Sequence, residues 1–351
     1  MVPTPLEQIL REQIDHLGPI RLDRFMDLCL THPEHGYYSQ ASAIGGDSNQ
    51  GDFITAPEVS QMFGEMIAVW IMSTWQALDQ PDQLQLVELG PGRGTMMADI
   101  MSVLKNQSAL MSGLKLFVMD ASETRWRDKL SSYDVTPLND LQDLDTSVPM
   151  IVIGNEFFDA LPVRQFVRIG EGQDSQWGET HVYASDEGLG LCQTITALPA
   201  MLADEQALEL EVLEHCAAAG FIVDTLAAKL REARGAALFL DYGYHHSPGQ
   251  STLQAVRGHE KVNPLSQPGE TDLTTLVNFG MLKDAARAAG CQVSDITNQG
   301  DFLRALGIDQ RSVDLAKANP DRAKEIGGQL HRLTADEEMG VLFKALSFWH
   351  I

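Results

Sequence analysis

A short apolar run ends in a glycine-rich segment whose residue types suit the binding of a small ligand. The sequence Glu88-Leu-Gly-Pro-Gly-Arg-Gly94 places glycines at positions 90, 92 and 94, with an acid two residues before the first of them. Glycine allows a ligand to approach the backbone closely, and the start of a following helix at Thr95 offers unpaired N–H groups. A glycine-rich turn that binds no ligand is the alternative interpretation.

The glycine spacing separates two classes of cofactor. Dinucleotide-binding turns follow G-x-G-x-x-G, whereas Thr95 stands here at the place of the third glycine. This disfavours a nicotinamide-dependent oxidoreductase. The G-x-G-x-G pattern after an acid resembles instead the first motif of Rossmann-like methyltransferases, whose glycines make room for the amino-acid part of S-adenosylmethionine. It predicts a set of cofactor-binding residues, namely Glu88, Gly90, Pro91, Gly92, Gly94 and Thr95.

A second acid is expected to complete the cofactor site. Asp120 ends the next apolar run, 30 residues after Gly90, and a carboxylate in that position can accept hydrogen bonds from both ribose hydroxyls. Capping of the next helix is the alternative for Asp120. Asn139 and Asp140 are a weaker candidate for contact with the adenine edge, and a plain turn is the alternative for them.

A third polar segment, Asn155-Glu-Phe-Phe-Asp159, follows another apolar run and carries the candidate catalytic residues. Methyl transfer depends mainly on orientation, with the nucleophile held about 3 Å from the methyl carbon. A guanidinium acceptor is charged and planar, and carboxylates can fix its fork. Glu156 and Asp159, with Asn155 beside them, suit that role. Capping of a following helix is again the alternative.

Further residues are candidates for contact with the acceptor or for closing the site. Asp241 and Tyr242 end a later apolar strand, and Tyr242 either lines a pocket or only packs. His259 lies in a loop and is either a base or an ordinary surface histidine. Polar residues at the start of the long N-terminal helix either close the site or cap that helix, and these are Asp52, Thr55, Pro57 and Glu58.

Strands and helices must alternate if these segments are to meet. Short apolar runs at 84–89, 114–119, 150–154 and 236–240 are separated by helical patterns. Such alternation predicts an α/β fold with a parallel sheet covered on both faces, in which ligands bind beyond the carboxyl ends of the strands. The predicted fold class is therefore Rossmann-like, with an N-terminal helical part and an inserted hairpin and helical segment.

The expected domain division is a helical segment with a site-closing loop at 1–80 and a Rossmann-like domain at 81–351 with an insertion at about 163–233. Several elements belong to this prediction. They are two helices within 5–30, a helix at 57–78, hairpin strands at 163–169 and 180–184 with a turn at 170–178, helices at 203–217, 220–233 and 272–289 (the last capped by Thr271), and final strands at 292–297 and 342–349.

Composition limits the class of protein and its partners. The formal charge of −24 disfavours nucleic acid as the main partner and favours a basic small molecule or a protein segment that bears arginine or lysine. The four cysteines form no CxxC pair, so no metal site is expected. No targeting segment and no apolar run of about 18 residues appears, so a cytoplasmic protein is expected. The mostly apolar helix at 58–78 either packs in the core or forms the interface of a homodimer.

Many ordered segments together resemble the MidA-like family of methyltransferases, which is related to a mitochondrial complex I assembly-factor arginine methyltransferase. The resemblance covers nearly the whole chain and rests on matching segments at 35–38, 51–65, 87–95, 155–163, 241–243, 252–256, 268–274 and 339–340. It is more specific than a glycine-rich turn alone, because the segments occur in one order along the chain.

The resemblance implies a class I methyltransferase fold that binds S-adenosylmethionine through the turn at 88–95 and Asp120, with Glu156 and Asp159 on the acceptor side. It also implies methylation of arginine on a protein similar to a respiratory complex I subunit. The missing mitochondrial targeting segment points to a bacterial source, so that particular substrate does not follow directly. A non-catalytic assembly factor and a small-molecule methyltransferase are the alternatives.

Overall fold

A computed structural model describes residues 3–39, 54–122, 124–170, 175–202 and 209–351 of the chain. The helices in these ranges are α1 (Pro5–Leu17), α2 (Leu22–Thr31), α3 (Ala56–Val59), α4 (Gln61–Ala77), α5 (Thr95–Leu104), α6 (Ser108–Met111), α7 (Thr124–Arg127), α8 (Ala217–Ala233), α9 (Phe279–Ala288), α10 (Gln299–Ala305), α11 (Ile308–Ala318) and α12 (Ala323–Thr334).

The strands form three sheets. They are β1 (Ile20–Arg21), β2 (Leu84–Leu89), β3 (Leu114–Met119), β4 (Val135–Pro137), β5 (Met150–Asn155), β6 (Arg164–Ile169), β7 (Gln176–Ser185), β8 (Gly188–Ile195), β9 (Val212–His215), β10 (Gly235–Tyr244), β11 (Gln254–Arg257), β12 (Glu260–Lys261), β13 (Asp272–Thr274), β14 (Val277–Asn278), β15 (Gln292–Val293), β16 (Thr297–Asn298) and β17 (Phe343–His350).

The described residues group into two units by their contacts. The small-sheet unit contains those within 1–53, 158–219 and 246–276, and the large-sheet unit contains those within 54–157, 220–245 and 277–351. This differs from the predicted division at residue 80. The helix α4 is buried around most of its surface and packs on α5, so it belongs with the large sheet rather than with an N-terminal helical segment.

The large sheet has the strand order β15-β17-β10-β5-β2-β3-β4. Strands β10, β5, β2, β3 and β4 run parallel, and β17 pairs antiparallel with β10. The chain proceeds from β2 to β3 and β4 on one side, and β5 then returns to the other side of β2. The order therefore reverses between β2 and β5, which is the point where open parallel sheets bind their ligands.

Burial explains why the central strands read as continuous apolar runs. Every residue of β2 and of β5 is buried, because helices cover both faces of a parallel sheet. The predicted parallel α/β arrangement is confirmed for this unit. The glycine-rich segment follows β2 directly, and the Asn155-Glu156 pair lies at the end of β5.

The small-sheet unit is built around an antiparallel sheet in which β7 pairs with β1, β6 and β8, and β6 pairs with β9. The helices α1 and α2 contribute most of its apolar core. The predicted hairpin of β6 and β7 is confirmed. Strand β7 begins at Gln176 and includes Gly178, so the predicted turn at 170–178 is too long, and residues 171–174 lie outside the described part of the chain.

Three predicted helices differ from the structure. The helix at 57–78 is broken at Ser60, whose hydroxyl accepts a hydrogen bond from Met62 N–H at 3.3 Å and so starts a new helix. The helix expected at 272–289 starts at Phe279 with Asn278 as its cap, and Thr271 is buried without capping it. The helix expected at 203–217 is contradicted by strand β9, although residues 203–208 are not described.

No helix within the described ranges is both long enough and apolar enough to cross a membrane. The same part of the chain contains no group of three His, Cys, Asp or Glu side chains with the geometry of a metal site.

Candidate cofactor and acceptor site

The turn after β2 takes a backbone path that favours glycine at three positions. The φ angles of Gly90, Gly92 and Gly94 are +66°, +53° and +73°, in the left-handed region that side-chain-bearing residues rarely adopt. Gly90 N–H donates to the carbonyl of Met119 at 2.9 Å, and Gly94 N–H donates to the carbonyl of Pro91 at 2.7 Å. The turn is therefore fixed to the end of β3 and then leads into α5.

The three glycines differ in what a side chain would meet. A Cβ on Gly90 would lie 3.0 Å from Cδ2 of Phe157, and one on Gly94 would lie 2.9 Å from Cγ of Leu130. A Cβ on Gly92 would meet no atom of the described part of the chain within 4 Å. Gly90 and Gly94 thus allow close packing of the protein on itself, whereas Gly92 faces space that the described residues leave open.

Glu88 is a buried carboxylate just before this turn. Its exposed fraction is 1%, and its Oε2 atom has no hydrogen-bond partner among the described residues. Burial raises the pKa of Glu88 to about 8, and the nearby charge of Asp120 adds to the increase. A cation or a hydrogen-bond donor from a ligand would satisfy this group.

Asp120 is oriented by the backbone around it. Its Oδ1 accepts a hydrogen bond from Ser122 N–H at 2.8 Å, and Gly92 N–H also donates to its carboxylate. Burial raises the pKa of Asp120, while Arg125 and these two hydrogen bonds oppose the increase. The carboxylate is thus held beside the turn of Gly92.

The candidate adenine-contacting pair lies in an exposed turn. Asn139 and Asp140 are both exposed, and Asp140 Oδ1 accepts a hydrogen bond from Gln142 N–H at 2.9 Å. Asp140 therefore caps the short 3-10 helix that follows it, as in the plain-turn alternative.

Glu156 has an unusual backbone conformation and a fixed side chain. Its φ is +49°, which is rare for a residue with a side chain and occurs often at functional sites. Its Oε1 accepts hydrogen bonds from Ala56 N–H at 3.1 Å and from Asn155 Nδ2 at 3.0 Å. Its own N–H donates to the carbonyl of Leu240 at 2.9 Å. These contacts hold the carboxylate in one orientation at the carboxyl end of β5.

Asp241, on the neighbouring strand β10, holds the backbone just after Glu156. It is 1% exposed, its Oδ2 accepts from Phe157 N–H at 3.0 Å, and its Oδ1 accepts from Tyr242 N–H at 2.9 Å. Tyr242 is buried, and its ring lies edge-on to Phe343 with ring centroids 5.4 Å apart. Asp241 thus fixes the position of Phe157. The contact of Tyr242 with Phe343 is one of packing, and a role for Tyr242 in the acceptor pocket stays a prediction.

The segment at 54–59, before α4, lies close to the glycine-rich turn after β2 and to Glu156 at the end of β5. Thr55 precedes α3 without a capping side-chain hydrogen bond, and Pro57 is buried in the first turn. Glu58 Oε1 lies 3.5 Å from Arg93 Nε in the glycine-rich turn. Asp52, the other predicted site-closing residue, lies outside the described residues.

Two predicted residues belong to the small-sheet unit. Asp159 is buried, and its backbone carbonyl accepts a hydrogen bond from Thr275 N–H at 3.0 Å. His259 is exposed and has a φ of +65°, next to Gly258 with a φ of +57°, in the two-residue turn between β11 and β12. The positive angles of both residues are those of a tight hairpin turn. The catalytic role expected for Asp159 and the role of His259 at the acceptor side remain predictions.

Sequence reasoning missed several residues of the large-sheet site. Ala56 contributes only its backbone N–H, and Phe157 contributes a ring beside Gly90, so neither carries a chemical signal in the sequence. Trp126 is 3% exposed and packs beside Gly94, and its Nε1 has no hydrogen-bond partner among the described residues. Among these residues, Trp126 alone carried a signal in the sequence, since a tryptophan stands six residues after Asp120.

Comparison with known proteins identifies the family. Residues 66–297 match the model of a family described as S-adenosyl-L-methionine-dependent methyltransferase. The chain is 33% identical to "Protein arginine methyltransferase NDUFAF7, mitochondrial" of Danio rerio, across 96% of this chain and 85% of that protein. It is 32% identical to the protein of the same name from Mus musculus, across 97% of this chain and 83% of that protein.

Solved structures agree with this result. A Burkholderia thailandensis protein bound to S-adenosyl-homocysteine superposes with a TM-score of 0.85 and 28% identity, across 100% of this chain and 95% of that one. A native crystal structure from the same organism gives a TM-score of 0.81 and 27% identity, across the same shares of the two chains. The predicted class I fold and cofactor are confirmed, and S-adenosylmethionine is the cofactor. This chain therefore belongs to the family of S-adenosyl-L-methionine-dependent methyltransferases.

Proposed function

We propose that the protein methylates an arginine side chain of a protein substrate. The observation that carries the proposal is the Glu156 carboxylate, which Ala56 N–H and Asn155 Nδ2 hold at the ligand edge of the sheet. The names of the relatives as arginine methyltransferases and the formal charge of −24, which attracts cationic protein segments, support the same acceptor.

The residues of the first turn fit S-adenosylmethionine. Gly92 leaves room for the ligand, and Asp120 offers a carboxylate to the ribose hydroxyls. Glu88 offers a cationic or N–H group a buried oxygen that has no hydrogen-bond partner among the residues described. Pro91, Gly90, Gly94 and Thr95 shape the turn around these three. The bound cofactor supplies a methyl group on a positively charged sulfur, which leaves as a neutral thioether.

Glu156 would act on the acceptor. A carboxylate fixed by two N–H donors can bind one edge of a guanidinium. It then holds one terminal nitrogen of that group in place to attack the methyl carbon. As the new N–C bond forms and the C–S bond breaks, the guanidinium becomes more acidic and its proton can pass to a carboxylate. Asn155 then serves to orient Glu156, and Asp241 fixes the adjacent turn by binding Phe157 N–H.

The test uses purified protein, methyl-labelled S-adenosylmethionine and bacterial lysate, followed by gel separation and amino-acid analysis of labelled bands. Label in dimethylarginine or monomethylarginine supports the proposal and identifies the partner. A protein similar to a respiratory complex I subunit is the first one to add in purified form. Label only in small molecules, or binding of S-adenosylhomocysteine without any transfer, overturns arginine methylation and favours a small-molecule enzyme or an assembly factor.

The variant Glu156→Gln tests directly whether the carboxylate of Glu156 is needed for methyl transfer. The amide retains an oxygen that can accept from Ala56 N–H and Asn155 Nδ2, so the change removes the charge and leaves the geometry. We expect transfer to fall by roughly 10²-fold, as for loss of a transition-state contact, while S-adenosylhomocysteine affinity stays unchanged. Glu12→Gln, the same substitution at an exposed position on α1, is the control. A normal transfer rate in Glu156→Gln would remove this residue from the mechanism.

A further inference from the structure

The short helix α3 contacts both halves of the proposed site. At its start, Ala56 N–H donates to Glu156 Oε1 at 3.1 Å. Two residues later, Glu58 Oε1 lies 3.5 Å from Nε of Arg93, which stands between Gly92 and Gly94. One turn of helix thus joins the carboxylate proposed to bind the acceptor to the turn proposed to bind the cofactor.

The ion pair of Glu58 and Arg93 contributes little to the stability of the fold. The exposed fractions of the two side chains are 33% for Arg93 and 26% for Glu58, and pairs with this degree of exposure contribute about 0–1 kcal/mol. The helix is already held by packing, since Ala56, Pro57 and Val59 are all buried. Loss of the pair should therefore leave α3 in place and change only its alignment with the glycine-rich turn.

We propose that Glu58 and Arg93 are positioning residues, which align the Ala56 N–H and hence the Glu156 carboxylate with the cofactor turn. The proposal rests on the role of Glu156 given above. It has a mechanical consequence, because a ligand seated against Gly92 restrains the backbone of Arg93. Cofactor binding should then tighten the hold on Glu156, so that the acceptor site is completed after the cofactor has bound.

The first test measures hydrogen exchange of the backbone across residues 54–60 by mass spectrometry, in the full chain. This measurement needs no methyl acceptor. We expect Glu58→Gln and Arg93→Gln each to increase exchange in this segment, because the Ala56 N–H bond to Glu156 becomes less well aligned. S-adenosylhomocysteine should reduce exchange there in the wild-type protein and have little effect in the two variants.

The second test measures transfer of labelled methyl groups and cofactor affinity. A misplacement well under 1 Å should lower kcat by roughly tenfold in each variant, with the Kd of S-adenosylhomocysteine within about twofold of wild type. Because both variants break one interaction, the double variant should be no slower than either single one. The exchanged pair Glu58→Arg with Arg93→Glu should recover most of the lost rate and of the lost exchange protection.

A matched ion pair elsewhere provides the control. Arg322 and Glu325 lie 2.8 Å apart near the start of α12, with exposed fractions of 58% and 52%. Arg322→Gln and Glu325→Gln should change neither exchange in 54–60 nor kcat. A purely structural role for Glu58 and Arg93 would instead lower the melting temperature without a selective change in kcat.

The outcomes separate this proposal from the proposed function. Unchanged exchange at 54–60 in both variants, or failure of the exchanged pair to recover protection, overturns the positioning role. If the wild-type protein transfers no methyl group to any acceptor, arginine methylation fails, and the exchange experiment alone still decides whether Glu58 and Arg93 align α3.

Discussion

Replacement of Glu88 by glutamine should change how the stability of the protein depends on pH. Burial raises the pKa of this carboxyl group from 4.5 to about 8 in the folded protein. Between these pH values the folded protein keeps the Glu88 proton and the unfolded chain has lost it. The unfolded state thus binds fewer protons, so the free energy of unfolding of the wild-type protein falls as pH rises through this window.

The size of the effect follows from the width of the window. The interval from 4.5 to about 8 is 3.5 pH units. At about 1.36 kcal/mol per unit, Glu88 costs the fold on the order of 5 kcal/mol above pH 8 relative to acid pH. Glutamine does not ionise, so the cost is absent in Glu88→Gln. Within this window, the unfolding free energy of Glu88→Gln minus that of the wild-type protein should increase by about 1.4 kcal/mol for each unit of pH.

The assay is denaturant unfolding of both proteins at pH 5, 6, 7, 8 and 9, with the exposed Glu12→Gln variant as a control for the substitution. Other titrating groups contribute to both proteins and largely cancel in the difference. Parallel stability curves for wild type and Glu88→Gln across pH 5–8 would refute the reasoning, because they would mean that Glu88 ionises alike in both states.

A second set of measurements connects this behaviour to the cofactor. S-adenosylhomocysteine carries an ammonium group, and a cation beside Glu88 favours the ionised carboxylate. Saturating ligand should therefore flatten the wild-type curve and release a proton on binding near pH 7. If the curve keeps its slope with ligand bound, Glu88 does not receive the cationic part of the cofactor.

Three further predictions concern neighbouring residues. Gly92→Val should abolish binding of S-adenosylhomocysteine in calorimetry, with a stability cost of about 1–3 kcal/mol from the positive φ at this position. Gly94→Val should lower stability further, because its side chain would also overlap Leu130. Asp241→Ala should lower kcat by at least about tenfold with cofactor affinity retained, since Phe157 N–H loses its buried acceptor. His259→Ala should leave transfer unchanged, because His259 lies in an exposed hairpin turn, and a clearly lower kcat with unchanged cofactor affinity would contradict this.

The glycine-rich turn after β2 could be predicted because its signals are local. Gly90, Gly92 and Gly94 adopt positive φ angles that glycine accepts. Glu88 lies near the end of β2, and Asp120 comes directly after β3. Sequence could not assign different tasks to the three glycines. That distinction depends on Phe157 and Leu130, which lie far along the chain and show no pattern that links them to the turn.

The grouping of residues by contacts differs from the predicted domain division for a related reason. Residues 54–80 read as a continuation of the N-terminal helices, and residues 246–276 read as part of the sheet domain. Their actual membership depends on which unit buries their apolar faces. Helical periodicity indicates that a face will be buried, but it carries no information about the surface that buries it.

Whereas the reversal of strand order between β2 and β5 emerged only from the structure, the sequence by itself determined the parallel sheet, the class of cofactor and the candidate acids. These features follow from backbone conformation and from hydrophobic periodicity over a few residues. Only the tertiary structure decided that Ala56 N–H binds Glu156, 100 residues away, and that Asp241 binds Phe157 N–H, 84 residues away. A backbone donor is the same in every residue, so only the folded arrangement can show which acid it meets.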